Sequence, residues 1–208
     1  SLNLPVAVDI EKIAISRLDY GQALSAGDLR GVFNSDGQIH RLSDFSAQLG
    51  LARISGSAEL GGIAPLPLRA DASVTGKLDD KPVRLAISAA GPLERILLKV
   101  AAQEGVRGSG QALLTPFARQ PFAEASVELA DVDPAVWVAG APAARLALQA
   151  AIRPDARQDG AIEGDFELRN AMAGPLDRQR LPLERLSGRC AWADDGAGFA
   201  DIQARLPG

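Results

Sequence analysis

Strict alternation of apolar and polar residues is the feature that most limits what this chain can fold into. Leu68, Ala70, Ala72 and Val74 are apolar, whereas Arg69, Asp71, Ser73 and Thr75 between them are polar. Around residue 125, Ala123, Ala125, Val127 and Leu129 interleave with Glu124, Ser126 and Glu128. The scheme returns through Leu146, Leu148 and Ile152, and again through Ile162, Phe166 and Leu168. A helix needs apolar residues every three or four positions, so a period of two means strands with one dry face and one wet face.

The punctuation agrees. Gly, Pro and Asp clusters fall at 35–37, 61–62, 79–82, 91–92, 105–110 and 194–198. Short strands divided by such turns predict an all-β protein of about 14 strands. Two stretches depart from alternation. Residues 16–24 are ambiguous. In 131–146, Asp133 can cap and Pro134 can occupy the first helical position, which predicts one helical turn over 133–138, around Trp137. With no linker or charge block, residues 1–208 read as one domain.

One phrase occurs twice. Ala-Gly-Pro-Leu at 90–93 and at 173–176 is followed each time by an acid and then an arginine. Glycine admits unusual backbone angles and proline fixes φ near −65°, so each copy predicts a rigid corner with Leu93 or Leu176 tucked inward. Reuse of one corner suggests a repeated architecture.

Composition excludes several functions. With 22 Lys+Arg against 26 Asp+Glu, the net charge of −4 provides no basic face for nucleic acid. Cys190 is the only cysteine, so the chain forms no internal disulfide and no Cys-based zinc site, and the thiol reads as a small buried side chain. His40, the only histidine, reads as a solvated residue beside a turn. No nucleophile elbow, zinc-protease helix or phosphate loop occurs, and the acids at 79–80 and 194–195 suit turns. The reading is of a protein that is not an enzyme and needs no cofactor or metal. No apolar run is long enough to span a bilayer as a helix, and no signal peptide opens the chain. The start at Ser1, straight into alternation, reads as a piece cut from a longer protein.

A sheet with one apolar face must cover it. A second sheet would do so, usually with large and aromatic residues between the layers. Here aromatic residues are 4% of the chain and the dry positions are mostly Ala, Val, Leu and Gly, which also suit the floor of a trough. Alternation is compatible with both. The candidate floor residues are Leu68, Ala70, Ala72, Val74, Leu85, Ile87, Leu98 and Val100 in the first half. In the second half they are Val127, Leu129, Leu146, Leu148, Ile162, Phe166 and Leu168.

The stretches 132–137 (VDPAVW), 140–146 (GAPAARL) and 169–188 (RNAMAGPLDRQRLPLERLSG) resemble the TamB family. So do 54–76 and 117–133, and the likeness runs from roughly residue 4 to the end. TamB is the inner-membrane-anchored, periplasm-spanning subunit of the translocation and assembly module of Gram-negative bacteria, similar to AsmA-like and bridge-like lipid transfer proteins. The resemblance implies an elongated, twisted β-sheet curled into a U-shaped hydrophobic groove. It implies a periplasmic segment of an envelope-spanning bridge that shields phospholipid acyl chains between the inner and outer membranes. A second implied role is assembly of outer-membrane barrel proteins or autotransporters with TamA, through pairing at strand edges.

Overall fold

The computed structural model describes every residue except 21–23, 79–80, 105–106, 137, 139, 159, 194–195 and 208. Contacts group the chain into two compact units, Ser1–Gly105 and Val106–Gly208. The first contains β1 (Val8–Tyr20), β2 (Leu24–Ser35), β3 (Ile39–Leu49), β4 (Ala52–Gly61), β5 (Pro67–Leu78), β6 (Lys81–Pro92) and β7 (Ile96–Glu104). The second contains β8 (Arg107–Leu114), β9 (Phe122–Val132), β10 (Leu146–Pro154), β11 (Ile162–Asn170), β12 (Arg185–Ala193) and β13 (Gly196–Arg205). The protein is all-β. Two 3-10 turns, Pro134–Val136 and Leu176–Arg178, are the only helical elements among the described residues.

Within each unit every strand pairs antiparallel with its chain neighbours. Among the described residues no strand packs against a strand of its own unit other than its chain neighbours beyond a marginal contact, so neither meander folds back over itself. Within each unit a second layer of strands is missing, and burial shows the consequence. Among the described residues the buried apolar ones are Ala26, Ala47, Ile96, Ala144 and Ala161, and no large side chain is fully enclosed.

The repeated Gly-Pro-Leu phrase does not make one repeated corner. Gly91 has φ +136°, a conformation that closes the tight β6–β7 connection, where Arg95 N–H donates to the Pro92 carbonyl at 2.8 Å. Gly174 lacks that conformation, and the chain after it winds into the 3-10 turn at Leu176–Arg178. Leu176 is 63% exposed instead of tucked inward, and the buried anchor of the first corner is Ile96. The four shared letters leave the outcome to the glycine's φ and to the length of chain that follows.

A different repeat does organise the strands. The tetrapeptides at 26–29, 42–45, 129–132 and 199–202 each read apolar, small, Asp, apolar. Asp28, Asp44, Asp131 and Asp201 all sit at left-handed φ, between 49° and 54°. Each lies at a register shift where two residues oppose one on the neighbouring strand. These are β-bulges. Asp tolerates the left-handed region better than β-branched residues do, and the extra residue changes the phase of alternation. Apolar residues three apart, such as Leu42 and Phe45, thereby reach the same face.

Candidate apolar binding face

In an antiparallel pair, residues directly opposite one another project from the same face of the sheet. The register of the first unit aligns the candidate floor residues into rows. Val74 lies opposite Leu85, and Leu85 opposite Ala102. Ala72 lies opposite Ile87, which meets Val100. Ala70 lies opposite Ala89, which meets Leu98, while Leu68 lies between Leu60 and Gly91. All eight candidates of the first half thus share one face. The opposite face carries Arg53, Ser55, Ser57 and Glu59 on β4 against Thr75, Ser73, Asp71 and Arg69 on β5.

The second unit repeats the division. Leu148 lies between Leu129 and Leu168, and Ala150 between Val127 and Phe166. Leu146 lies opposite Val132 and Asn170, and Ile162 opposite Pro154 and Trp192. All seven candidates of the second half share a face within their unit. Phe166 faces Gly188, whose missing side chain leaves room for Ile202, and the ring meets Phe199 edge-on at 6.2 Å between centroids. The apolar residues are half-buried, and among the described residues no other strand of the same unit lies over them.

The sequence reading missed part of this face. Ile54, Ala58 and Leu60 alternate as clearly as the residues chosen. Phe45, Phe199 and Ile202 were hidden because a bulge interrupts the period of two. Cys190 is half-buried on the apolar face opposite Gly164.

One end of each apolar face is closed. In the first unit His40, opposite Leu60, stands at the end of the apolar row. It is not a solvated turn residue. Its Nδ1 lies 2.8 Å from the Ser35 hydroxyl and its Nε2 lies 2.9 Å from the Leu2 carbonyl, and the ring stacks on Phe33. In the second unit the buried Asn170 ends the Leu146 row. Its Oδ1 accepts from Arg145 and Met172 N–H, both at 3.0 Å, and its Nδ2 donates to the Leu181 carbonyl at 3.2 Å. The connections 133–145 and 171–184 are joined there by Ala143 N–H to the Gln179 carbonyl, at 2.8 Å, and Leu181 N–H to the Ala143 carbonyl, at 3.2 Å. Asp133 accepts from Ala135 N–H at 3.1 Å and Ala144 N–H at 3.2 Å. The predicted helical turn is therefore the 3-10 turn Pro134–Val136, and Trp137 lies outside the described residues.

The polar face of the second unit is charged and largely self-paired. Arg169 Nε donates to Glu167 Oε1, and Arg185 Nη2 donates to Glu167 Oε2 at 2.9 Å. The Arg169 hydrogen bond, with the charges of Arg169 and Arg185, holds the Glu167 carboxyl below the usual range against some desolvation. Arg189 pairs with Asp201, and Arg153 with Glu163. Three hollows of about 560, 500 and 320 Å³ open on this face, lined by such residues as Ser126, Glu128, Gln149, Asp165, Glu167, Ser187 and Arg189. Among the described residues no group of three or more His, Cys, Asp or Glu is placed to hold a metal ion, and no helix is long and apolar enough to cross a membrane. No family model, curated protein or solved structure matches the chain.

Proposed function

We propose that the apolar faces hold hydrocarbon, and that the chain is a periplasmic segment of a bridge that shields phospholipid acyl chains in transit between inner and outer membranes. The observation that carries this reading is, in each unit, a one-sided array of Leu, Val, Ile, Ala and Phe with no other strand of that unit over it among the described residues. Large exposed apolar patches on a folded chain mark surfaces that meet another apolar body. The likeness to the TamB family belongs to this proposal; the U-shaped curl that the resemblance implies does not, since each meander is open and not strongly curled.

The energetics make such a surface useful. Exposing one CH₂ to water costs about 0.8 kcal/mol, so two acyl chains with about 30 such groups would cost roughly 24 kcal/mol. An apolar floor removes much of that barrier while headgroups remain in water. Organic extraction and mass analysis of the purified protein tests the reading, with Leu129→Asp/Leu148→Asp for comparison. Phospholipid in the wild type and at least a fivefold loss in the folded double variant is expected. Equal loading would remove these positions from the floor.

Strand-edge pairing with outer-membrane clients, in concert with TamA, is the second reading. Its support is that the ten residues of β13 are exposed. An unpaired edge can add a strand from another chain. Cross-links from a strand peptide to β13, without bound lipid, would favour it.

A further inference from the structure

We propose that the second unit docks onto an anionic membrane surface through one rim, the strand ends and connections that meet around Asn170. This docking goes beyond the reading of the apolar face and does not depend on it. The rim consists of the connections 133–145 and 171–184, tied together by hydrogen bonds at Ala143 and Leu181, and of the last row of residues on the adjoining strands. In that row the register sets Arg169 directly opposite Arg185, and Arg185 directly opposite Arg205. Like charges facing one another across a sheet destabilise it. Arg169 and Arg185 share one carboxylate, that of Glu167 one row inward. The connections add Arg145, Arg178 and Arg180. Arg107 on β8 reaches the same rim, since it and Arg145 both approach Asp131, at 3.0 and 3.9 Å.

Among the described residues the rim thus carries seven arginines against four acids, Asp131, Asp133, Asp177 and Glu184, in a chain whose net charge is −4. The overall balance hides this local excess. Two of the four acids are engaged within the protein, Asp131 by Arg107 and Arg145, and Asp133 by the Ala135 and Ala144 N–H groups. The arginines are open to solvent, Arg178 and Arg180 included. Aliphatic side chains stand exposed among them, one on each connection: Val138 is 59% and Leu176 63% exposed. Both features match an anionic bilayer, whose phosphates attract arginines while its interfacial region takes up apolar side chains. A water-soluble polyanion would satisfy the arginines and gain nothing from Val138 and Leu176.

The test is cosedimentation of the full chain with vesicles of phosphatidylethanolamine and phosphatidylglycerol, compared with vesicles of phosphatidylcholine alone and with soluble polyphosphate. Salt-sensitive binding to the anionic vesicles, at least about tenfold tighter than to phosphatidylcholine, is expected. Arg178→Gln/Arg180→Gln should weaken it about 25-fold, at about fivefold for each arginine. Arg153→Gln/Arg157→Gln, at the opposite strand ends, should stay within about twofold of wild type. Leu176→Ser should weaken vesicle binding about fivefold and leave polyphosphate binding unchanged. Equal binding of both vesicle types would overturn the proposal and move the lipid contact to the apolar face. Equal losses in the two arginine pairs would overturn it by reducing the attraction to overall charge. Vesicle binding no tighter than polyphosphate binding, and indifferent to Leu176→Ser, would give the rim to a soluble polyanion instead.

Discussion

The two units solve the same problem with different means. Each is a single antiparallel layer with one apolar face, and each ends an apolar row with a polar side chain, His40 in the first and Asn170 in the second. His40 holds the Leu2 carbonyl and the Ser35 hydroxyl, whereas Asn170 joins two connections that bury Ala144 almost completely. The buried amide satisfies three backbone groups, whereas the imidazole satisfies one. The stability of an end follows from how many backbone groups its closing residue satisfies inside the protein.

Asn170→Leu should break that comparison most severely. It leaves Arg145 N–H, Met172 N–H and the Leu181 carbonyl without their partner, a loss of about 3 kcal/mol. Urea unfolding measures it, and a loss below 1 kcal/mol would mean that the second closure does not depend on this amide. Gly91→Ala is expected to cost about 2 kcal/mol by the same assay. Its φ of +136° is strained for any side chain, and the new Cβ would lie 2.5 Å from the Arg95 carbonyl. Alanine at Gly174 has no such backbone strain and meets only the Arg180 side chain. Near-equal costs at the two sites would contradict the different corners described for them.

The bulges allow a finer division. Asp44→Gly keeps the left-handed conformation accessible and should change stability by less than about 0.5 kcal/mol, whereas Asp44→Val should lose about 2 kcal/mol. The smallest effect concerns the charged face. Because the Glu167 carboxyl is held below its ordinary range in the folded protein, its contribution is present above that range and fades as pH falls through and below it. Glu167→Gln should flatten this acid limb slightly in pH-dependent urea titrations and leave neutral pH nearly unchanged. A larger change near pH 7 than in acid would contradict that sign.

Alternation made the strands and the apolar face legible before any coordinates. Leu68 to Val74 and Leu146 to Ile152 show their facing in one dimension, because side-chain direction in a strand depends only on parity. Parity fails at a bulge, so Phe45, Phe199 and Ile202 were invisible until Asp44 and Asp201 revealed the extra residue. The Asp tetrapeptide was present in the letters. The two Gly-Pro-Leu copies, by contrast, share letters and fold differently. The closing roles of His40 and Asn170 had no local signal, since they depend on residues 38 and 11 positions away.

The central claim, that hydrocarbon lies on the apolar face and not in the hollows of the charged one, is tested most directly by photocrosslinking. A phospholipid with a diazirine near the acyl terminus would be bound to the full chain, illuminated and mapped by peptide mass analysis. The account predicts labels at Val74, Ile87, Leu148 and Leu168, with Gln149, Ser126 and Ser187 spared. Labels concentrated on those three polar residues, or an absence of saturable labelling, would contradict it.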